Sequence, residues 1–197
     1  AAARYFPEPL VVSVPGSRAT EIELLQMDKD AAGALIAYLS GFQAHGWRKA
    51  LVFCNTRAEV EAYATAVRAA HTPFGHAVYV HYSNLERVRR QEIEQQFAQA
   101  GAAICFASST LELGIDIGSI DVAILIGAPG SVAAFVQRVG RAGRRQQRIH
   151  AACFYRTPLE KLLLTTLAAA PEAEPTSSPF RPSVAVQQIF SLLVQSP

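Results

Sequence analysis

The chain has no large excess of charge of either sign, no long apolar run and no paired cysteines. Its 197 residues carry 18 Lys and Arg against 16 Asp and Glu, a net charge of +2. Overall charge therefore neither demands nor excludes a polyanionic partner. No apolar stretch approaches the roughly 20 residues that a membrane helix needs, and no membrane partner is expected. The opening Ala1-Ala2-Ala3-Arg4-Tyr5-Phe6-Pro7 has no long apolar run after its charge, so it is not a secretory signal. It reads as the cut end of a longer chain. Cys54, Cys105 and Cys153 each sit inside an apolar run, without Cys-x-x-Cys spacing. They are expected as buried, reduced thiols, which suits a cytoplasmic protein. The five histidines are scattered and none pairs with a cysteine, so no metal site is expected.

What is present is alternation. Short apolar, β-branched runs are expected as strands at 21–27, 50–54, 77–81, 103–107, 122–126 and 151–155. Helices are expected between and after them, at about 30–45, 57–70, 86–99, 131–142 and 158–169. Alternation of this kind gives an α/β fold, a mostly parallel sheet of about six strands with helices on both faces. Wholly apolar strands such as Val122-Ala123-Ile124-Leu125-Ile126 suit burial on both sides. Ligands in such folds bind at the carboxyl ends of the strands. Asn55-Thr56-Arg57, His81-Tyr82-Ser83, Ser108-Ser109-Thr110 and Gly127-Ala128-Pro129 all fall there. We expect residues 1–18 to be an extension or linker and 19–170 the α/β domain. Residues 171–182, rich in Pro, Glu and Ser, read as a linker, and 183–197 as a helix that could open a following domain.

The most particular stretch is Gln137-Arg138-Val139-Gly140-Arg141-Ala142-Gly143-Arg144. On a helix over 132–144, Val132, Phe135, Val136 and Val139 follow the spacing of a buried stripe. Gln137, Arg141 and Arg144 cluster opposite, and Arg138 points a third way. Glycine costs about 1 kcal/mol in a helix against alanine, so two of them suggest close approach of a backbone or ligand. No acidic residue lies between Asp121 and Glu160, a stretch holding Arg138, Arg141, Arg144, Arg145, Arg148 and Arg156. Fixed guanidinium groups suit phosphate. A solvated basic helix face would show the same composition.

The block resembles the Gln-x-x-Gly-Arg-x-Gly-Arg signature of superfamily-2 helicases. Ser108-Ser109-Thr110-Leu111-Glu112-Leu113-Gly114-Ile115-Asp116-Ile117-Gly118 is similar to the family's motif V, with Ser where Thr is commoner. Leu51-Val52-Phe53-Cys54-Asn55-Thr56-Arg57 resembles motif IV, and Val80-His81-Tyr82-Ser83 resembles a His-x-Ser stretch. Each alone would pass for helix caps and turns. In this order they resemble the second RecA-like domain of such a helicase, over roughly residues 19–168. Within that superfamily the likeness is to the large helicase-related group, in which a winged-helix domain follows. Val186-Gln187-Gln188-Ile189 is similar to its opening.

The resemblance implies roles residue by residue. Arg141 and Arg144 would reach the β- and γ-phosphates of ATP as catalytic arginines, with Gln137 orienting arginine, phosphate or water. Gly114 and Asp116 would lie by the nucleotide. Asn55, Thr56, Arg57, His81, Ser83, Ser108 and Ser109 would meet the backbone of DNA or RNA, single-stranded or duplex. The sequence contains no Gly-x-x-x-x-Gly-Lys-Ser/Thr and no Asp-Glu-x-His or Asp-Glu-Ala-Asp. ATP and Mg2+ are therefore expected mainly on an N-terminal RecA-like domain outside this chain. Two other readings remain: a nucleic-acid-binding module without ATP chemistry, and a RecA-like domain turned to protein interaction.

Overall fold

In the computed structural model, six strands form one wholly parallel sheet in the order β1-β6-β5-β2-β4-β3. The structure describes residues 19–27, 29–70, 72–81, 85–108, 118–143 and 148–169. The expected extension over 1–18, linker over 171–182 and terminal helix over 183–197 lie outside the described residues. The elements follow in chain order: β1 Ala19–Gln26, α1 Ala31–Ser40, β2 Lys49–Phe53, α2 Arg57–Ala69, β3 Val78–His81, α3 Arg87–Gln99, β4 Ala103–Ala107, β5 Val122–Ile126, α4 Val132–Val139, β6 Arg148–Tyr155 and α5 Pro158–Ala169. A short 3-10 turn, Phe42–His45, follows α1.

Every residue of β2, β4 and β5 is buried. Their apolar runs contact helices on both faces, which is why they lack the polar alternation of a half-exposed strand. Val52, Phe106 and Ile124 pack on one face with Leu35, Leu39, Val60 and Val67 of α1 and α2. Leu51, Cys105 and Leu125 pack on the other with Phe97, Phe135, Val139 and Leu164 of α3, α4 and α5. Each large side chain buried in this way contributes on the order of 1.5–3 kcal/mol.

Two polar devices fix the amino ends of the strands. Asp121, just before β5, accepts the backbone N–H groups of Arg48 at 2.8 Å and Lys49 at 2.9 Å. The buried Lys49 ammonium donates to the carbonyls of Phe97 at 2.9 Å and Ala98 at 2.7 Å. Those carbonyls close α3, so the cation is matched by the negative end of a helix. All three cysteines are buried. Burial pushes each thiol up to about 12, with Glu59 adding to the effect at Cys54 and Glu94 at Cys105. At Cys54, Arg138 and Arg156 oppose the rise.

Candidate functional site

The site is built along the carboxyl edge of the sheet. From β6 to β3, the strand ends present Arg156, Gly127, Asn55, Ser108 and His81. The structure thus brings Asn55, Ser108 and His81 to three adjacent strand ends, as the sequence anticipates. Their surroundings differ. Ser108 is half-buried and Asn55 is exposed as a whole residue. His81 is buried, with Nε2 2.9 Å from Glu94 Oε1 of α3. Gly114, Asp116, Arg144, Ser83 and Ser109 lie outside the described residues.

Asn55-Thr56-Arg57 makes the start of α2. Thr56 caps the helix: its hydroxyl accepts the Glu59 N–H at 3.2 Å, and Glu59 answers at the Thr56 N–H, also at 3.2 Å. The same carboxylate oxygen accepts from the Asn55 N–H at 3.1 Å. A capping box satisfies helix-start donors that would otherwise be orphaned. Arg57, the first residue of α2, is exposed. The Thr-x-x-Glu spacing was legible in the sequence as Thr56-Ala58-Glu59 with Arg57 between, yet the expected roles passed over Glu59.

Glu59 is held from the opposite side. Arg156 Nη2 lies 2.7 Å from Glu59 Oε1 and 3.1 Å from the Tyr63 hydroxyl. The Arg156 backbone N–H donates to Glu160 Oε2. Partial burial pulls the Arg156 guanidinium down, but its hydrogen bonds to Tyr63 and Glu59 outweigh that and its pKa is raised. Arg156 thus spans from the end of β6 to the start of α2. Nothing in its own sequence neighbourhood signals a partner 97 residues away.

The arginine block departs from the expected helix. α4 stops at Val139, with Gly140 as its cap. Beyond it the chain tightens: Arg141 N–H bonds Arg138 O at 3.2 Å and Ala142 N–H bonds Val139 O at 3.1 Å. Gly143 then takes φ of 68° and its N–H reaches Ile120 O at 2.8 Å. That left-handed backbone is open to glycine and strained for other residues. Arg141 therefore sits in a turn and not on the helix face. The expected stripe is also rotated. Phe135 and Val139 are buried, but Val136 is 48% exposed. Arg138 takes the inward position at 5% exposure and Arg141 is buried at 8%. Gln137 is exposed. Arginine is tolerated inside because it finds acceptors and an aromatic face. Arg138 Nη1 donates to Asn55 Oδ1 at 3.2 Å, and its guanidinium carbon lies 5.5 Å from the centre of the Phe53 ring. The run of arginines between Asp121 and Glu160 is accordingly no uniform basic surface. Among its described side chains, Arg138 and Arg141 are buried and Arg156 is ion-paired.

Comparison with known proteins agrees with this geometry. The family model for the helicase conserved C-terminal domain matches residues 30–146. The chain is 34% identical over 149 residues to ATP-dependent helicase Lhr-Core protein 2 of Thermococcus barophilus, covering 71% of this chain and 17% of that protein. It is 41% identical over 95 residues to ATP-dependent helicase Lhr-Core of Methanocaldococcus jannaschii, covering 48% of this chain and 11% of that protein. The chain thus spans less than a fifth of the length of these relatives. Among solved structures, Mycobacterium smegmatis helicase Lhr bound to ssDNA and AMP-PNP matches with a TM-score of 0.66 at 22% identity, over 78% of this chain and 22% of that one. The C-terminal domain of the DEAD-box protein Dbp5 matches with a TM-score of 0.56 at 18% identity, over 74% of this chain and 83% of that one. At such identities the two structures speak for the RecA-like fold.

Proposed function

Because this chain belongs to the helicase conserved C-terminal domain family, we propose that it is the second motor domain of an ATP-dependent nucleic-acid helicase of the large helicase-related group. The observation that carries the proposal is the turn Arg138–Gly143, which buries two arginines and is itself fixed by backbone hydrogen bonds to α4 and, through Gly143, to Ile120. A solvated basic face would leave those guanidinium groups in water.

Arg141 and Arg144 supply positive charge to the β- and γ-phosphates of ATP when an N-terminal RecA-like domain closes on this one. Gln137 helps to orient them. Such groups accelerate phosphoryl transfer by stabilising charge that develops in the transition state. Gly114 and Asp116 border the nucleotide. The donor-rich arginine turn fits phosphate oxygens. Magnesium does not fit here equally well, since Glu59 and Glu160 already accept from Arg156 and backbone N–H groups. We assign Mg2+ and most ATP contacts to the N-terminal domain. ATP binding supplies the closing force, and opening after hydrolysis converts it into stepping.

Nucleic acid, DNA or RNA, lies along the strand ends. Arg57 and Ser108 are the side chains best placed to meet backbone phosphates, and Thr56, Ser83 and Ser109 are assigned to the same backbone. His81 supports that edge from inside through Glu94. A winged-helix domain following residue 183 completes the assembly, and the buried reduced thiols suit a cytoplasmic setting.

The test is ATP turnover by the intact protein and by this chain alone, with and without single-stranded DNA and RNA. The intact protein should hydrolyse ATP faster when nucleic acid is added. The chain alone should show no turnover near 1 per second, the lower end of the ordinary enzyme range. Nucleic-acid binding by an intact protein that never hydrolyses ATP would favour the purely binding module instead.

A further inference from the structure

We propose that Asn55 is a positioning residue that braces the arginine-bearing turn, and that it is not itself a phosphate contact. This rests on the motor-domain reading above and deepens it. Asn55 stands one residue beyond Cys54, at the end of β2, and its side chain is turned inward. Oδ1 accepts from Arg138 Nη1 at 3.2 Å, and Nδ2 donates to the Ala128 carbonyl at 3.1 Å. The two bonds join segments 83 and 73 residues apart in sequence. They also fix the orientation of the amide. Flipped, it would set Nδ2 against a cation and Oδ1 against a carbonyl.

The surroundings are shaped for this arrangement. Gly127 follows β5 directly with φ of 77°, and a Cβ there would lie 3.1 Å from Asn55 Nδ2. A side chain at 127 would crowd the amide from behind. On the other side Arg138 is a permanent charge at 5% exposure, so its acceptors fix where it sits. The link to the chemistry is short. The carbonyl of Arg138 accepts the N–H of Arg141. A displaced Arg138 therefore displaces the origin of the turn that carries Arg141. One side-chain bond and one backbone bond connect the end of β2 to that arginine.

The experiment uses the intact protein with Asn55→Ala, Asn55→Asp, Arg138→Lys and the Asn55→Ala/Arg138→Lys double variant. ATP turnover is followed against nucleic-acid concentration, and binding to a single strand is followed against salt. For Asn55→Ala the brace predicts a fall in kcat of about tenfold at saturating ATP and nucleic acid. The KM for nucleic acid should stay within about twofold, and the salt slope should be unchanged. Asn55→Asp keeps an acceptor for Arg138 and should recover most of kcat. The double variant should be no slower than the slower single one, because both remove the same bond. Circular dichroism at the assay temperature shows whether each variant is folded, and if Asn55→Ala is not, Arg138→Lys carries the same expectation. A raised KM with kcat restored at saturation, together with a shallower salt slope, would make Asn55 a direct phosphate contact and overturn the proposal. So would additive losses in the double variant. A wild type that hydrolyses no ATP removes the motor-domain reading and this assignment with it, whereas failure of the brace alone leaves the wild-type activity in place.

Discussion

Arg156 at the end of β6 holds Glu59 in the first turn of α2 at 2.7 Å, bridging over the end of β5 that lies between their strands. Glu59 thereby answers two demands at once. One oxygen meets the guanidinium; the other closes the capping box on Asn55 and Thr56. The start of α2 and the end of β6 are tied through one carboxylate.

Replacing Glu59 by Gln should therefore weaken both the pair and the cap. A cap is worth about 1 kcal/mol and a partly exposed ion pair about as much or less. In a domain of this size about 1 kcal/mol corresponds to a shift of 2–4 °C. A melt of the purified chain should show a Tm lower by a few degrees, with half the loss or less in Arg156→Lys. An unchanged Tm in both variants would mean that water replaces these contacts without cost.

The buried thiols predict alkaline sensitivity. Each cysteine is pushed from an ordinary value of 9.0 to about 12 by burial. The folded state then keeps protons that the unfolded state releases between those two values. Stability contributed by the neutral thiols is fully present below pH 9 and is lost as pH rises through about 12, by up to about 1.4 kcal/mol per pH unit for each thiol. Denaturant unfolding at pH 8, 9 and 10 should show a falling midpoint, and Cys153→Ala should flatten that fall. A midpoint level across this range would contradict the assignment.

In the intact protein, Arg141→Ala should cut ATP turnover by a factor on the order of a hundred or more. The KM for ATP should change much less, since most ground-state contacts are assigned to the N-terminal domain. Steady-state kinetics against ATP would separate the two, and equal losses in binding and turnover would reduce Arg141 to simple charge attraction.

Arg57→Ala should weaken single-strand binding about equally for unrelated sequences and flatten the salt slope by roughly one phosphate. Folding should persist, because Arg57 is exposed at the first residue of α2. A salt titration on two strands of different composition measures both. Retention of the full slope would leave Arg57 out of the contact set.

The strands were legible because apolar, β-branched runs that are buried on both sides have few other uses. Val122–Ile126 and Ala103–Ala107 fall where their composition puts them. The arginine turn was legible as chemistry but not as shape. Helical periodicity puts Val136 inside, whereas the structure puts Arg138 inside and ends the helix at Val139. The reason is tertiary: Asn55 and Phe53 offer a buried cation an acceptor and a ring, and neither is near it in sequence. Arg156 and Glu59 escaped for the same cause. Their pairing exists only after β6, β5 and β2 stand side by side.

Strand pairing also sets an order in time. Among the described strands β1 pairs with β6 alone, Ala19 opposite Arg148 through Gln26 opposite Tyr155. Of the strands of this sheet it is the first to be synthesised, and its partner is the last. At roughly 5–20 residues per second, synthesis leaves it waiting on the order of ten seconds. During that interval Ile22, Leu24 and Leu25, which pack against the two halves of the core in the finished fold, have no sheet to join. Pairings this distant in sequence are slow to close and prone to misassembly. A nascent chain stalled before residue 148 would carry an unpaired apolar strand, which is the kind of segment that chaperones hold and that sticks to its own copies.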